Sequence, residues 1–401
     1  MKSITGLKNL KNKKVLLRVD FNVPLSGKRV ADSARVQASL PTIKFLLKKK
    51  AKVIIVSHLG RPEGKIARAL KLDPVVRELG VMLGKPVKKL ETGNWRWSEK
   101  KRAYFKKQID QMRPGQVIML DNIRFSPDEE KNSVVLAREL AGLADIFVLD
   151  GFAVAHRAAA SVSGVAQLIP SFAGLLLTAE IKGLEKVLKR PKKPFVAVLG
   201  GIKTASKTPL LKNLLPKVNH ILLGGGLLNS YLLGKKYRIG ASVAERESAP
   251  VLKRVLAGKK LVRPVDLVVG DKDGKNFRLV ALGRQPHKIC AKEEAIFDIG
   301  PETICLYAGY IKSAKTLLWN GAVGYFEQKP YNIGTFAIAR LVAARSRGKA
   351  FGVIGGGETV QAMVATGMEE FVDLVSTGGG AMLEFLSGKV LPGIKALGSK
   401  K

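Results

Sequence analysis

Short apolar runs, largely β-branched, alternate with longer amphipathic segments along nearly the whole chain. In the first half the runs are Val15 to Val19, Lys52 to Ser57, Gln116 to Leu120 and Ile146 to Asp150. In the second half they are Phe195 to Leu199, His220 to Leu223, Asp266 to Val269, Thr316 to Leu318, Ala350 to Ile354 and Leu374 to Ser376. The segments Val36 to Lys50, Val134 to Gly142, Leu210 to Leu215 and onward, Pro301 to Ala314, Phe336 to Arg347 and Thr359 to Thr366 are helix candidates that cross over a sheet. Such alternation predicts βαβ units and parallel sheets, an α/β fold. Between the halves, Leu175, Leu176, Ile181, Leu184 and Leu188 recur with an approximately helical period, so Pro170 to Arg190 reads as one amphipathic helix ended by Pro191. That helix is the expected connector (171–190) between a first domain, 1–170, and a second, 191–384. A chain of 401 residues suits two domains.

Composition narrows the class. With 46% hydrophobic residues, 41 glycines and 18 prolines, the chain is a folded protein rather than a disordered or collagenous one. Against 32 acidic residues stand 69 Lys and Arg, a formal charge of +37, whose field attracts anions. Phosphorylated metabolites, nucleotides and nucleic acids all remain candidates. Lys48 to Lys50 and Glu99 to Lys107 read as solvated faces. Cys290 and Cys305 form neither a disulfide framework nor a metal-ligand spacing, and read as small core residues in a reducing compartment. No apolar run reaches the roughly 18 to 20 residues needed to span a bilayer, and Met1 to Lys14 lacks the apolar core of a signal peptide. A cytoplasmic protein is expected.

Four glycine clusters follow strand candidates: Gly200-Gly201, Gly224 to Gly226, Gly355 to Gly357 and Gly378 to Gly380. One alone reads more readily as a tight strand-to-helix turn. Four at strand ends in one half favour a nucleotide site, because glycine lets backbone N–H groups close on phosphate. Lys203 and Lys207, four apart at a helix start, are placed to neutralise phosphoryl oxygens, although any lysine in so basic a chain is also a candidate solvated charge. Gly60 to Lys65 reads G-R-P-E-G-K, too short for a Walker A loop and lacking its Ser/Thr. The dinucleotide and protein-kinase fingerprints are absent too.

In the first half, Asp20, Asn22, His58 and Arg61 sit at strand ends, Arg35 precedes a helix, and Arg124, His156 and Arg157 follow later strands. A parallel sheet gathers these at one edge, which suits a small substrate with several negative charges. Scattered surface arginines are the other reading. Neither His58 nor His156 has a second metal ligand at a recognised spacing.

The stretches R-V-D-F-N-V-P (Arg18 to Pro24), S-H-L-G-R-P (Ser57 to Pro62), A-H-R (Ala155 to Arg157), D-I-G-P-E-T-I (Asp298 to Ile304), W-N-G (Trp319 to Gly321), I-G-G-G-E-T (Ile354 to Thr359) and S-T-G-G-G-A (Ser376 to Ala381) occur in that order. By these motifs nearly the whole chain closely resembles the phosphoglycerate kinases. The resemblance implies two doubly wound, Rossmann-like parallel-sheet domains with a hinged cleft, the C-terminal stretch 385–401 packing back on the first domain. It implies that Asp20, Phe21, Asn22, Arg35, His58, Leu59, Gly60, Arg61, Arg124 and Arg157 hold 3-phosphoglycerate or 1,3-bisphosphoglycerate, Arg35 also stabilising the transferring phosphoryl group. ADP or ATP with Mg2+ would meet Lys203, Lys207, Gly225, Asn320, Glu327, Gly356, Gly357, Glu358 and Thr359, with Glu358 as metal ligand and Gly357 and Gly380 among the catalytic backbone donors. A monomer is implied, since the family's site lies within one chain.

The chain departs from the family pattern at several points. Glu358 stands where aspartate is usual, Ser206 where an acidic residue is common, and Ala322 where proline follows W-N-G. Ile296 takes an often-glycine position. G-F-A-V-A-H-R (Gly151 to Arg157) replaces the usual A-F-G-T-A-H-R, Ala159 a frequent second histidine, and Leu374 a histidine associated with the hinge. The +37 charge exceeds what the small substrates require. It fits either a compositional bias or nonspecific binding of RNA or another polyanion, and the departures leave open a catalytically weakened binding protein on the same fold.

Overall fold

A computed structural model describes residues 1–283 and 287–398. The chain forms two compact units, Met1–Ile181 together with the stretch from Val390 onward, and Lys182–Lys389.

In the first unit, β1 (Lys14–Arg18) leads through a small antiparallel pair, β2 (Leu25–Ser26) and β3 (Arg29–Val30), into α1 (Ala34–Lys48) and β4 (Lys52–Val56). There follow α2 (Asp73–Leu83), β5 (Lys88–Leu90), α3 (Glu99–Asp110), β6 (Val117–Leu120), α4 (Val134–Ala141), β7 (Ile146–Leu149) and β8 (Ser171–Ala173). Six strands make one parallel sheet in the order β5-β6-β4-β1-β7-β8. Every residue of β6 and β7 is buried, as expected where both faces of a parallel sheet are covered. The C-terminal helix Pro392–Gly398 packs on the turn around Val162, and a Cβ on Gly393 would stand 2.9 Å from the Val162 methyl. Two expectations change here. Ser171–Ala173 is a strand paired with β7, so the helix α5 runs only Leu175–Lys189, with Leu177, Ile181, Leu184 and Val187 as its buried stripe. The lysine-rich segment read as a solvated face is α3, which buries Phe105 and Ile109 and leaves most of its charges outside.

The second unit contains β9 (Phe195–Leu199), α6 (Thr204–Leu214), β10 (His220–Leu223), α7 (Gly225–Gly234), α8 (Ala249–Val255), β11 (Leu261–Val262), β12 (Asp266–Gly270), β13 (Phe277–Ala281) and β14 (Ala295–Ile299). It continues with α9 (Pro301–Ser313), β15 (Thr316–Asn320), α10 (Ile333–Ser346), β16 (Phe351–Gly355), α11 (Gly357–Thr366), β17 (Leu374–Ser376) and α12 (Gly380–Leu386). Its parallel sheet has the order β11-β10-β9-β15-β16-β17. That is the dinucleotide-fold order 3-2-1-4-5-6, with its switch point between β9 and β15. The run from Asp266 does not join this sheet. It is the centre of an antiparallel sheet, β13-β12-β14. The short link 271–276 is the reason, since a parallel crossover needs about a dozen residues or more. Helix α6 begins six residues before the expected Leu210, which places Lys203 at its N-cap.

Candidate active site

Each unit carries a cluster of functional side chains beyond the C-terminal ends of its parallel strands. In the first unit, β1 delivers Asp20 to Asn22, β4 delivers His58 to Arg61, β6 delivers Arg124, and β7 leads to Arg157. Asp20 joins the group by accepting from Arg35 Nη1 at 2.6 Å while its other oxygen lies 3.7 Å from His58 Nδ1. Asn22 accepts the Gly60 N–H at 2.8 Å, and Arg124 Nη1 donates to the Gly60 carbonyl at 2.8 Å. Gly60 has φ +63, a left-handed conformation suited to glycine. Phe21 and Leu59 belong to the core and enter through their backbone. The Phe21 N–H donates to Ser57 Oγ at 2.8 Å, and the Leu59 carbonyl accepts from Asn122 Nδ2 at 2.7 Å. Arg61 extends exposed from the same turn.

Behind these residues lies a layer that sequence reasoning assigned no role. Arg18, almost fully buried, donates from Nε to Ser161 Oγ at 2.8 Å and lies 4.0 Å from Glu129 Oε1. Glu129 accepts from the Ser161 N–H at 2.9 Å and hydroxyl at 2.5 Å. Burial pushes the Glu129 carboxyl up, and Arg18 opposes that shift. Glu130 lies 3.4 Å from Arg124 and 3.6 Å from Arg157, a carboxylate set between two guanidiniums. Burial, then Arg18, Arg124, Arg35 and Arg157, hold His58 well below the usual imidazole range, so it is neutral. Burial and the neighbours Arg157 and Arg18 lower Arg124 to about 10.

In the second unit the glycine clusters close on one another. The Gly201 N–H donates to the Ala322 carbonyl at 2.7 Å, and that of Gly225 to the Val323 carbonyl at 2.8 Å. A Cβ on Gly200 would collide with the Ala322 carbonyl; one on Gly225 would lie 2.8 Å from the same oxygen and 2.9 Å from Gly201 N. Lys207 is buried in this cradle and its Nζ donates to the Gly200 carbonyl. The Cβ position at Gly201 lies 2.7 Å from both Lys207 Nζ and Glu358 Oε2, so ammonium and carboxylate converge on one small space. Burial lowers Lys207, while Glu358 and then Glu245 raise it. Asn320 Nδ2 donates to the Gly355 carbonyl at 2.7 Å, and Thr359 Oγ1 accepts the Gly321 N–H at 2.6 Å, which ties β15 to the start of α11. Gly356 has φ +96, with Gly357 and Glu358 opening α11. The turn Gly378 to Gly380 follows the neighbouring strand β17, with Met382 packed against Gly355.

Two residues stand apart. Lys203 is exposed while Lys207 is buried, so the two do not share a face as the spacing implied. Glu327 is exposed on the loop after β15, and among the described residues no hydrogen bond or ion pair joins it to the cradle.

The two clusters, one lined by arginines and one built of glycine turns, are carried by two parallel sheets of one chain. A family model for phosphoglycerate kinase matches residues 4–389. The chain belongs to the phosphoglycerate kinase family. It is 44% identical over 401 residues to the phosphoglycerate kinase of Moorella thermoacetica, covering 98% of each chain. It is 43% identical to that of Pelotomaculum thermopropionicum, covering 97% of each. The solved structure of phosphoglycerate kinase from Coxiella burnetii matches with a TM-score of 0.84 at 38% identity, covering 98% of both chains.

Several departures from the family pattern have a visible place. Ala322 works through its carbonyl, which any residue supplies. Leu374 packs its Cδ2 2.7 Å from the Cβ position of Gly183 on α5, an apolar contact. Ile296 is buried, its N–H donating to Ser242 Oγ at 2.8 Å. Glu245, with no motif around it, caps α6: its carboxylate accepts the N–H groups of Thr204 at 2.9 Å and Ala205 at 2.7 Å, and the Ser248 hydroxyl at 3.0 Å. A carboxylate some forty residues from the helix it caps leaves no local signal.

Proposed function

We propose that this chain catalyses reversible phosphoryl transfer between 1,3-bisphosphoglycerate and ADP, giving 3-phosphoglycerate and ATP, in glycolysis and gluconeogenesis. The observation that carries the assignment of residues is the convergence of Lys207 and Glu358 over Gly201 at the switch point of the second sheet. In the ATP-consuming direction a carboxylate oxygen of 3-phosphoglycerate forms a bond to the γ-phosphorus as the bond to the ADP oxygen breaks. No proton moves, so the reaction needs no general base, only alignment, charge neutralisation and exclusion of water.

Arg124, Arg157, Arg61, Asn22 and the Gly60 turn hold the phosphoglycerate. Asp20, bonded to Arg35, aims that guanidinium, and neutral His58 orients the same carboxylate without adding charge. Arg35 stabilises the phosphoryl group in transit. Lys207 and Lys203 neutralise nucleotide phosphates, and the backbone at Gly356, Gly357 and Gly378 to Gly380 supplies donors to the moving group. Asn320 and Thr359 fix the cradle, and Glu327 reaches the ribose.

Among the described residues no cluster of three or more His, Cys, Asp or Glu side chains forms a metal site. One carboxylate in a phosphate cradle still fits Mg2+, which binds through one or two carboxylates plus substrate phosphates and water. Glu358 would hold it, and the ion would supply charge neutralisation to the phosphates. The enzyme acts as a monomer in the cytoplasm. One chain supplies every residue named, its two cysteines are free, and among the described residues no helix is long and apolar enough to cross a membrane.

A coupled assay with 3-phosphoglycerate, Mg-ATP, glyceraldehyde-3-phosphate dehydrogenase and NADH tests this reading. Wild type is expected to oxidise NADH, and Arg35→Ala to lower kcat by about 10²- to 10³-fold. A folded wild type that binds nucleotide yet gives no turnover would overturn it.

A further inference from the structure

Helix α7 starts in the phosphate cradle at Gly225 and ends at Gly234, about 14 Å away at 1.5 Å per residue. At that far end two adjoining grooves open. One, of about 760 Å³, is lined by Leu233, Gly234, Ala249, Pro250 and Ala257 together with the cations Lys235, Arg246, Lys253 and Arg254. The other, of about 570 Å³, shares Lys235 and adds Arg263, Tyr231, Tyr237, Pro264 and Leu282. Among the described residues no acidic side chain lines either groove, and none of Lys235, Arg246, Lys253 and Arg254 forms an ion pair. Lys235 Nζ sits 5.9 Å from the centre of the Tyr231 ring. The Tyr237 ring is held by its hydroxyl on the Gly283 carbonyl at 2.8 Å and by an edge contact with His287.

We propose that these joined grooves are a binding site for single-stranded nucleic acid, separate from the kinase chemistry. Five cations in grooves whose lining carries no carboxylate match a run of backbone phosphates, in a chain whose charge of +37 draws polyanions toward it. The apolar floor and the fixed tyrosine favour an unpaired strand, because only unpaired bases are free to lie on apolar and aromatic surfaces. A duplex offers phosphates alone at such a surface.

The test measures fluorescence anisotropy of a labelled single-stranded oligonucleotide, with a salt titration, on three proteins. These are wild type, a groove variant (Lys235→Gln, Arg246→Gln, Lys253→Gln, Arg254→Gln), and a control losing the same charge from exposed lysines of the first unit (Lys8→Gln, Lys11→Gln, Lys44→Gln, Lys48→Gln). The groove variant is expected to bind about tenfold or more weakly, with a salt slope reduced by about three, at roughly 0.7 for each phosphate no longer neutralised. The control is expected to keep most of its affinity, and both variants their kinase activity. Mg-ATP in excess should leave the oligonucleotide bound, a reading on wild type that does not depend on the variants folding. Equal loss in both variants would assign the binding to overall charge and overturn the site. So would displacement by Mg-ATP, absence of binding, or equal affinity for a duplex of the same length.

Discussion

The two units place opposite materials beyond the ends of their parallel strands. The first uses side chains: Arg35, Arg124, Arg157 and the buried Arg18, with Asp20, Glu129 and Glu130 set among them. The second uses backbone: glycine turns whose N–H groups and missing Cβ atoms leave room, with one buried lysine and one carboxylate. Guanidiniums have a fixed fork and read a particular arrangement of carboxylate and phosphate. Glycine turns accept any phosphate chain that fits the space. The first unit therefore pays in burial of its guanidiniums and in repulsion among them, which together lower Arg124, and the second in backbone conformations that favour glycine.

The largest effect should come from filling the cradle. Gly201→Ala adds a Cβ 2.7 Å from both Lys207 Nζ and Glu358 Oε2 at φ +75, and is expected to lower kcat/KM for Mg-ATP by about 10²-fold. Steady-state kinetics should show the KM for 3-phosphoglycerate nearly unchanged; a parallel rise there would break the division of labour. The counterpart in the first unit is Arg124→Lys, which keeps the charge but loses the fork that grips the Gly60 carbonyl. Its KM for 3-phosphoglycerate should rise by about tenfold to a hundredfold, with that for ATP unchanged.

A third difference lies in pH. His58 is held well below its usual 6.5, so under acid conditions the unfolded chain binds a proton that the folded chain refuses. Its contribution to stability therefore rises with pH and levels off above about 6.5. Asp298, buried in the second unit, is pushed up to about 8, so between its ordinary value and 8 the folded state holds the extra proton. Its contribution therefore falls as pH rises toward about 8 and is flat beyond. Asp150, pushed up to about 7 in the first unit, carries the same sign as Asp298. Scanning calorimetry should show Tm falling from about pH 6.5 to about 8 and levelling off beyond. His58→Gln removes a contribution that rises with pH and should steepen the decline below about pH 6.5, and Asp298→Asn, at a lower Tm because its amide nitrogen cannot accept the Gly334 or Ile299 N–H, should make the decline up to about pH 8 shallower.

The smallest effect concerns Glu245. Glu245→Ala removes the cap of α6 and should lower stability by about 1 kcal/mol while raising the KM for ATP a few-fold, because Lys207 rides on that helix. Glu245→Gln keeps an accepting oxygen and should restore most of both. A stability loss with unchanged KM would confine Glu245 to the fold.

Much of this protein was readable from its residues. Apolar runs and helical spacing located most of the strands and helices, because burial on both faces of a parallel sheet leaves near-continuous apolar runs. The motifs around Asp20, His58, Gly200 and Gly356 were legible since turns at strand ends need particular residues locally. What the tertiary structure decided were matters of partnership between distant segments. Which of Lys203 and Lys207 turns inward, that Asp266 to Gly270 also pairs with Ala295 to Ile299, that Arg18 meets Glu129 and Ser161, and that Glu245 caps α6 all depend on partners many residues away along the chain. Local sequence sets backbone preference and the identity of each group. Only the packed sheets set which groups share a space too small for water, and there burial sets charge and proton affinity.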